Sequence, residues 1–277
     1  MNIKLLAIDL DGTLLDKDSQ VPAENRQMVQ AAMDAGIEVM LVTGRSWRAT
    51  KPIYDQLGLT GPAICYLGAL VLDGRTGQVL QHRPLDPVAW QRLRSFALAE
   101  GLALTAAQAI DLAVADGALP AQGLVAADTA FATRRADDFA GWEEWNPYTE
   151  IDPSLSTCLN PPTMAAVYGD RSARLALAAF PDGLPNAQFD LSDHIAGETV
   201  LHVWHRSVQK GIALAEHCRQ RSLDPAHVMA MGDHKMDVPM LTFAGVGVAV
   251  PTARPEALAA ADLIATPAEA IRRILKG

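Results

Sequence analysis

Short apolar runs alternate with stretches of helical composition at the start of the chain. Residues 4–8, 37–42 and 63–66 are each short and apolar, which is typical of strands buried on both faces of a parallel sheet. Residues 22–35 have helical composition, begin at a proline and are followed by Gly36, a residue type that commonly ends helices. This alternation predicts an α/β arrangement.

The same alternation returns in the last third of the chain. Residues 228–231 predict a buried strand, and residues 210–222 and 268–275 predict helices. The two outer parts, residues 1–83 and 205–277, together predict a Rossmann-like, doubly wound parallel sheet with helices on both faces.

The middle of the chain, residues 84–204, has a different pattern. Residues 86–100 predict a helix, and residues 164–168 and 199–204 predict strands. Residues 102–132 are rich in Ala and Gly and show only weak periodicity. We interpret this part as a separate α+β module inserted into the α/β domain.

Charge and cysteine content narrow the class of partner. The chain has 277 residues and a formal net charge of -9, so it repels polyanions, and we expect neither nucleic acid nor a membrane among its partners. Its first apolar run is interrupted at once by Asp9 and Asp11, unlike a signal peptide, and its 3 cysteines have no disulfide or zinc spacing. We therefore expect a cytoplasmic protein.

The clearest chemical signal is Asp9-Leu10-Asp11-Gly12-Thr13, directly after the first predicted strand. Alternate residues of an extended chain point the same way, so the two carboxylates would share one side at a strand end, where open α/β sheets bind ligands. A lone Asp-x-Asp is usually an acidic strand end before a turn. The buried strand before this Asp-x-Asp motif and the Gly-Thr after it favour a functional site.

Two further segments carry groups suited to phosphate. Thr43-Gly44-Arg45 follows the second predicted strand, and its hydroxyl and glycine amide could donate to a phosphate oxygen, although Thr-Gly at a strand end is often only a turn. Lys210 begins a predicted helix, where the helix dipole disfavours a cation. Nearby carboxylates would offset this unfavourable interaction with the dipole. The alternative is a solvated surface residue, which is the more common environment of a single lysine.

A second pair of carboxylates, Asp233 and Asp237, follows the predicted strand at residues 228–231. Hard oxygen ligands of this kind suit Mg²⁺, which takes one or two carboxylates and keeps water or phosphate as its other ligands. Asp237 could also be the N-cap of the helix that follows.

In this order the motifs resemble those of the haloacid-dehalogenase-like superfamily and, more closely, its Cof-type sugar-phosphatase branch. Asp-x-Asp-Gly-Thr, Thr-Gly-Arg, Lys-Gly and Gly-Asp-x-x-x-Asp follow one another as they do in the family. The resemblance covers the two outer parts well, and residues 84–204 only by position and size, as the mobile cap of the family. It implies a Mg²⁺-dependent phosphatase of small phosphorylated metabolites, such as sugar phosphates.

The resemblance also implies roles for individual residues. Asp9 would attack phosphorus and form an aspartyl-phosphate, and Asp11 would protonate the leaving oxygen and then activate water. Thr43, Gly44 and Lys210 would hold the phosphoryl oxygens.

The implied metal site is made of acidic groups. Mg²⁺ would be held by Asp9, the backbone carbonyl of Asp11 and Asp233, while Asp237 would orient Lys210 or a metal-bound water. Arg45 and His234 are possible substrate contacts.

The chain departs from the branch at two positions. Met236 and Leu67 stand where many members have Asn, which removes two polar side chains near the expected phosphate or substrate. The proton-transfer and metal residues are intact, so we expect activity to persist, with substrate choice most affected. In the inserted module, Arg134, Arg135, Trp142 and Trp145 are candidates for substrate contacts.

Two other functions fit the same residues. A phosphomutase or phosphotransferase would pass the phosphoryl group from Asp9 to a sugar hydroxyl instead of water, and a degenerate protein would only bind a phosphorylated ligand. Release of phosphate from an aryl ester, with and without Mg²⁺, distinguishes an enzyme from a binding protein. The sequence leaves a monomer and a homodimer both open.

Overall fold

The structure is a computed structural model that describes residues 2–102, 104–109, 122–126, 149–151, 161–194 and 198–276. The chain divides into two compact units, one formed by Met1–Gln81 with Val208–Gly277 and the other by His82–Ser207. The candidate substrate contacts Arg134, Arg135, Trp142 and Trp145 lie outside the described residues. The role of the second unit as a cap stays a prediction.

The helices and strands are numbered in chain order. The helices are α1 (Ala23–Asp34), α2 (Trp47–Gln56), α3 (Pro87–Glu100), α4 (Asp170–Ala179), α5 (Lys210–Gln220), α6 (Val238–Phe243), α7 (Pro255–Ala260) and α8 (Pro267–Leu275). The strands are β1 (Leu5–Ile8), β2 (Glu38–Leu41), β3 (Pro62–Cys65), β4 (Leu70–Asp73), β5 (Val79–His82), β6 (Leu104–Ala109), β7 (Gln122–Ala126), β8 (Thr149–Ile151), β9 (Met164–Tyr168), β10 (Ala187–His194), β11 (Glu198–His205), β12 (Val228–Gly232), β13 (Val246–Ala249) and β14 (Leu263–Ile264).

The first unit is built on a parallel sheet with strand order β14-β13-β12-β1-β2. Strand β1 is central: Leu5 pairs with Val228 of β12 on one side and with Glu38 of β2 on the other. All four residues of β1 are buried, as the continuous apolar run predicts for a strand covered on both faces. A bridge between Val42 and Ile64 places β3 next to β2, and β3, β4 and β5 continue as a three-stranded sheet.

Two helices of this unit, α2 and α8, begin at side-chain caps that the sequence provides. In α8, the Thr266 hydroxyl accepts from the Glu269 backbone N–H while the Glu269 carboxylate accepts from the Thr266 backbone N–H, and Pro267 occupies the first turn. In α2, the Ser46 side chain accepts from the Ala49 backbone N–H. The bonds at both caps satisfy amide groups that the first turn of a helix leaves without partners.

The second unit contains a sheet with strand order β10-β11-β9-β6-β7-β8. Its neighbouring strands are antiparallel except for β7 and β8. Helix α3 begins at the Asp86 cap and ends at Gly101 in a left-handed conformation, and Trp90 and Leu93 belong to the same buried cluster as Val167. The predicted fold class, a doubly wound parallel core with an inserted α+β module, is confirmed.

Strand β3 ends one residue earlier than the apolar pattern predicts. Residue 66 was expected in the strand, but Tyr66 has a φ of 49° and lies in a helical turn, Tyr66–Gly68. An apolar side chain marks burial, and burial continues past the point where the backbone leaves the sheet. None of the helices in the described part of the chain has the length and hydropathy of a membrane span.

Candidate active site

The predicted site residues follow three neighbouring parallel strands. Asp9 follows β1, Thr43 comes just after β2 and Asp233 follows β12, and β1 lies between the other two. Because the strands are parallel, their carboxyl ends meet at one edge of the sheet, where open α/β sheets bind ligands.

Lys210 is the cation at the centre of this edge. It lies at the first residue of α5 and is only 4% exposed, with its Nζ atom 2.6 Å from Asp9 Oδ1 and 2.6 Å from Asp237 Oδ1. Burial alone would lower the pKa of Lys210, but the two carboxylates outweigh it and raise that pKa above its ordinary value. They also offset the unfavourable helix dipole, so Lys210 remains charged.

Asp237 fixes the position of Lys210 and of the loop after β12. Its side chain is fully buried, with Oδ1 accepting from Lys210 and Oδ2 accepting from the backbone N–H groups of Asp233 and His234 at 3.0 and 2.9 Å. Both carboxylate oxygens therefore already have donors inside the protein. This environment suits a positioning residue better than a metal ligand.

Asp233 approaches the loop after β1 so closely that only glycine fits there. Gly12 has a φ of +77°, and a Cβ atom at that position would lie 2.5 Å from Asp233 Oδ2. The Thr13 hydroxyl donates to Asp233 Oδ1 at 3.4 Å. Gly12 and Thr13 thus hold the Asp233 carboxylate near Asp9.

The three buried or half-buried carboxylates form a group with the properties of a divalent metal site. Oxygens of Asp9, Asp233 and Asp237 all lie within 4.8 Å of one another, and within this group Lys210 balances one of the three charges. Burial and the neighbouring carboxylates raise the pKa of Asp9 well above its ordinary value despite the opposing charge of Lys210. Burial, followed by the charge of Asp237, also raises the pKa of Asp233. A bound divalent cation would supply the missing charge, and Asp9 and Asp233 are its best placed side-chain ligands.

Asp11 has a different environment from the one expected. Strand β1 ends at Ile8 and a helical turn, Leu10–Leu14, begins directly after Asp9, although Asp9 and Asp11 themselves have extended φ and ψ angles. Asp11 has a side chain that is 56% exposed, and its Oδ2 accepts from Arg45 Nε at 2.8 Å while Oδ1 accepts from Arg45 Nη2. The two carboxylates thus have different partners, Lys210 for Asp9 and Arg45 for Asp11, and their common orientation towards a substrate stays a prediction.

The loop after β2 carries the other residues that were predicted to bind phosphate. Thr43 is fully buried, and its hydroxyl oxygen accepts from the Arg45 backbone N–H at 3.1 Å, so its own proton can still be donated. Gly44 follows directly and lies against the Leu67 side chain. Arg45 binds Asp11, and its contact with substrate stays a prediction.

His234 and Met236 lie half-buried in the loop after β12. The His234 backbone N–H donates to Asp237, and its side chain caps the short turn Lys235–Asp237. A direct contact between His234 and substrate stays a prediction.

Sequence reasoning missed the contacts of Thr13 and the backbone of the turn at Tyr66–Gly68. The Gly12-Thr13 pair was visible as a motif, but its approach to Asp233 joins segments 220 residues apart. The left-handed turn had one signal, Gly68 two residues after the predicted strand at 63–66.

A cavity of about 650 Å³ lies elsewhere in the same unit, at the amino ends of β2 and β3. Glu38, Pro62 and Arg221 are among its lining residues, and none of the clustered acids is. We assign the chemistry to the carboxyl ends of the strands, where the titratable groups are.

Comparison with known proteins gives a consistent result. A family model described as haloacid dehalogenase-like hydrolase matches residues 6–271. Pyridoxal phosphate phosphatase YbhA of Escherichia coli is 27% identical over 95% of this chain and 93% of its own length. A haloacid dehalogenase-like hydrolase from Bacteroides thetaiotaomicron superposes with a TM-score of 0.80 at 20% identity, covering 98% of this chain and 99% of the other. A structure described as a HAD subclass IIB sugar phosphatase has a TM-score of 0.74 at 18% identity, covering 99% and 98%.

Proposed function

Because this chain belongs to the haloacid dehalogenase-like hydrolases and is a phosphoric monoester hydrolase, we propose that it hydrolyses small phosphorylated metabolites through an aspartyl-phosphate at Asp9. The observation that carries the proposal is the buried contact of Lys210 with Asp9 and Asp237, next to Asp233. A carboxylate beside a fixed ammonium group and a candidate metal site can approach a phosphate without prohibitive repulsion.

In the first step, an Asp9 carboxylate oxygen forms a bond to phosphorus while the bond between phosphorus and the ester oxygen breaks. Asp11 donates a proton to the departing oxygen, so that it leaves as an alcohol. In the second step, Asp11 takes a proton from water, which attacks phosphorus and returns Asp9 to its free carboxylate. Lys210, the Thr43 hydroxyl and the Gly44 amide bind the phosphoryl oxygens in both steps.

Asp9, Asp233 and the backbone carbonyl of Asp11 would hold the metal, which we propose is Mg²⁺. The carboxylate donor set and the uncompensated negative charge fit a hard divalent cation. When bound, the cation neutralises charge between the nucleophile and the phosphate.

The comparisons support a small phosphate ester as substrate. One relative is named for pyridoxal phosphate and one similar structure is described as a sugar phosphatase. We propose that the substrate is an ester of this kind, a phosphorylated alcohol of a vitamin or sugar.

The test is phosphate release from an aryl phosphate, pyridoxal phosphate and a set of sugar phosphates, with Mg²⁺ and with a chelator. We expect release that requires Mg²⁺ and that falls by at least about 10³-fold in Asp9→Asn. Asp34→Asn, which alters an exposed carboxylate, is the control and should behave like the original chain.

Two results would contradict the proposal. Phosphate ester binding without any release would favour a binding protein, and phosphoryl transfer to an added sugar in place of water would favour a phosphotransferase. Retained hydrolysis in Asp9→Asn would exclude the covalent mechanism.

A further inference from the structure

Three consecutive residues in the turn Tyr66–Gly68 have positive φ angles. The values are 49° at Tyr66, 59° at Leu67 and 106° at Gly68. Glycine adopts this region freely and Asn tolerates it, but a bulky residue such as leucine is strained there. Such strain persists where the surrounding structure imposes it, and it occurs preferentially near functional sites.

Backbone contacts on two sides impose this conformation. Tyr66 and Leu67 donate their backbone N–H groups to the carbonyl oxygens of Arg45 and Thr43, each at 3.0 Å. On the other side, a Cβ atom at Gly68 would lie 2.6 Å from the carbonyl oxygen of Gln209, the residue before Lys210. The turn is therefore held between the two segments that carry the proposed phosphate-binding groups.

The Leu67 side chain lies against Gly44 in the loop after β2. Its Cδ2 atom lies 3.3 Å from the position that a Cβ atom would take on Gly44, and the side chain is half-buried, so part of its surface remains accessible. Apolar surface thus lies directly beside the amide that we assign to the phosphate.

We propose that Leu67 is a specificity-determining residue that favours phosphate esters with an apolar or aromatic group near the ester oxygen over polyhydroxylated esters. This inference rests on the proposed function. A hydroxyl group placed against leucine loses water and gains no hydrogen bond, whereas an apolar carbon gains contact. Asn at the same position would fit the left-handed backbone and offer both a donor and an acceptor.

The experiment compares two esters that carry phosphate on a CH₂ group next to a ring. The ring is aromatic in pyridoxal 5′-phosphate and hydroxylated in ribose 5-phosphate, while the reacting bond is of the same type. The readout is the ratio of the two kcat/KM values in the original chain and in Leu67→Asn. We expect Leu67→Asn to shift this ratio about tenfold towards the ribose ester, the size that one polar contact in a pocket supports.

Two further variants distinguish the effect of the Leu67 side-chain contact from the effect of backbone strain. Leu67→Gly relieves the backbone without supplying a polar group, so it should lower kcat/KM for the pyridoxal ester without raising it for the ribose ester. Ser222→Gly relieves the strain of a non-glycine residue at a φ of 54°, just beyond the far end of α5, and should leave the ratio unchanged. Relief of strain should raise the midpoint of thermal unfolding by about 2–4 °C in all three variants.

The outcomes distinguish the two proposals. Equal changes in both kcat/KM values in Leu67→Asn, with the ratio unaltered, would show that Leu67 is only structural and would overturn this inference alone. Absence of phosphate release from every ester by the original chain would overturn the proposed function and this inference together.

Discussion

At the residue scale, the site depends on one buried ammonium group shared between two carboxylates. Lys210, Asp9 and Asp237 are all buried, with only 4%, 4% and 0% of their surface exposed. Removing one partner of a buried ion pair is costly because the other charge is left without compensation. We therefore expect the Lys210 contact to contribute to stability as well as to the proposed chemistry.

Replacement of this cation tests both contributions. We expect Lys210→Met to lower the free energy of unfolding of the metal-free protein by about 3 kcal/mol at pH 7, and to abolish phosphate release. The loss should be smaller at pH 5 than at pH 7, because burial raises the pKa of Asp9 and protonation of Asp9 removes the charge that Lys210→Met leaves unpaired. Urea unfolding at the two pH values measures the effect, with the exposed Lys276→Met as control. Equal stability of Lys210→Met and the original chain at pH 7 would contradict it.

Gly12 offers a second test at this scale, with a matched control. Gly12 and Gly36 have φ angles of +77° and +79°, but a Cβ atom would meet Asp233 at Gly12 and nothing within 4 Å at Gly36. Both Gly→Ala variants should lose about 1 kcal/mol of stability from backbone strain. Only Gly12→Ala should also raise the Mg²⁺ concentration needed for half-maximal activity, since the new methyl group displaces Asp233. A normal Mg²⁺ requirement in Gly12→Ala would show that this approach is unimportant.

At the element scale, the parallel order of β12, β1 and β2 is what gathers the site. The same edge receives the first residue of α5, and the turn Tyr66–Gly68 joins the loop after β2 to the segment before that helix. Each group is thus positioned by an element whose own buried face fixes it. Elements away from this edge should affect stability without affecting turnover.

The cap at the N-terminus of α8 offers a test of whether stability can change without a change in turnover. Thr266→Ala removes the side-chain oxygen that accepts from the Glu269 backbone N–H, and we expect a loss of about 1 kcal/mol in unfolding free energy. Because α8 contributes no group to the cluster of Asp9, Asp233 and Asp237 (the acid cluster), kcat/KM should be unchanged. Denaturant unfolding and steady-state assays measure the two quantities. Thr60→Ala, at an exposed loop position, should change neither. Loss of activity in folded Thr266→Ala would contradict this assignment.

At the scale of the whole molecule, the acid cluster links stability to pH and to metal. In the metal-free protein the raised pKa values of Asp9 and Asp233 mean that the fold favours their protonated forms. The resulting contribution to the free energy of unfolding is fully present below the ordinary pKa of 3.8. It is lost as the pH rises through the raised pKa values of the two carboxyl groups. Binding of the proposed Mg²⁺ would need the ionised forms, so its stabilising effect would increase over the same range.

We therefore expect Mg²⁺ to raise the midpoint of thermal unfolding more at pH 7.5 than at pH 5. At a concentration 100 times its dissociation constant, the ion should add about 2.7 kcal/mol at the higher pH. Thermal scans with Mg²⁺ and with a chelator at both pH values give the difference. Asp233→Asn should remove most of the Mg²⁺ effect. An equal Mg²⁺ effect at both pH values would show that these carboxylates do not bind the ion.

Much of this protein was predictable from local patterns. Apolar runs and helix caps depend on neighbouring residues, so the alternation of strands and helices, the α/β class and the change of pattern in the middle were all visible before the structure. The motif residues could also be named singly, because Asp9, Lys210 and Asp233 each stand at the end of a predicted element. Their order carried the family resemblance, which the family match confirms.

The contacts between these residues were decided only by the tertiary structure. Whether Asp11 binds Arg45, and whether Asp237 binds Lys210, depends on where chain segments meet that are 34 and 27 residues apart. The left-handed backbone at Leu67 is likewise imposed from outside, by Thr43 and Arg45 on one side and Gln209 on the other. Periodicity and propensity describe a residue and its neighbours in the chain, whereas burial, pairing and strain are set by neighbours in space.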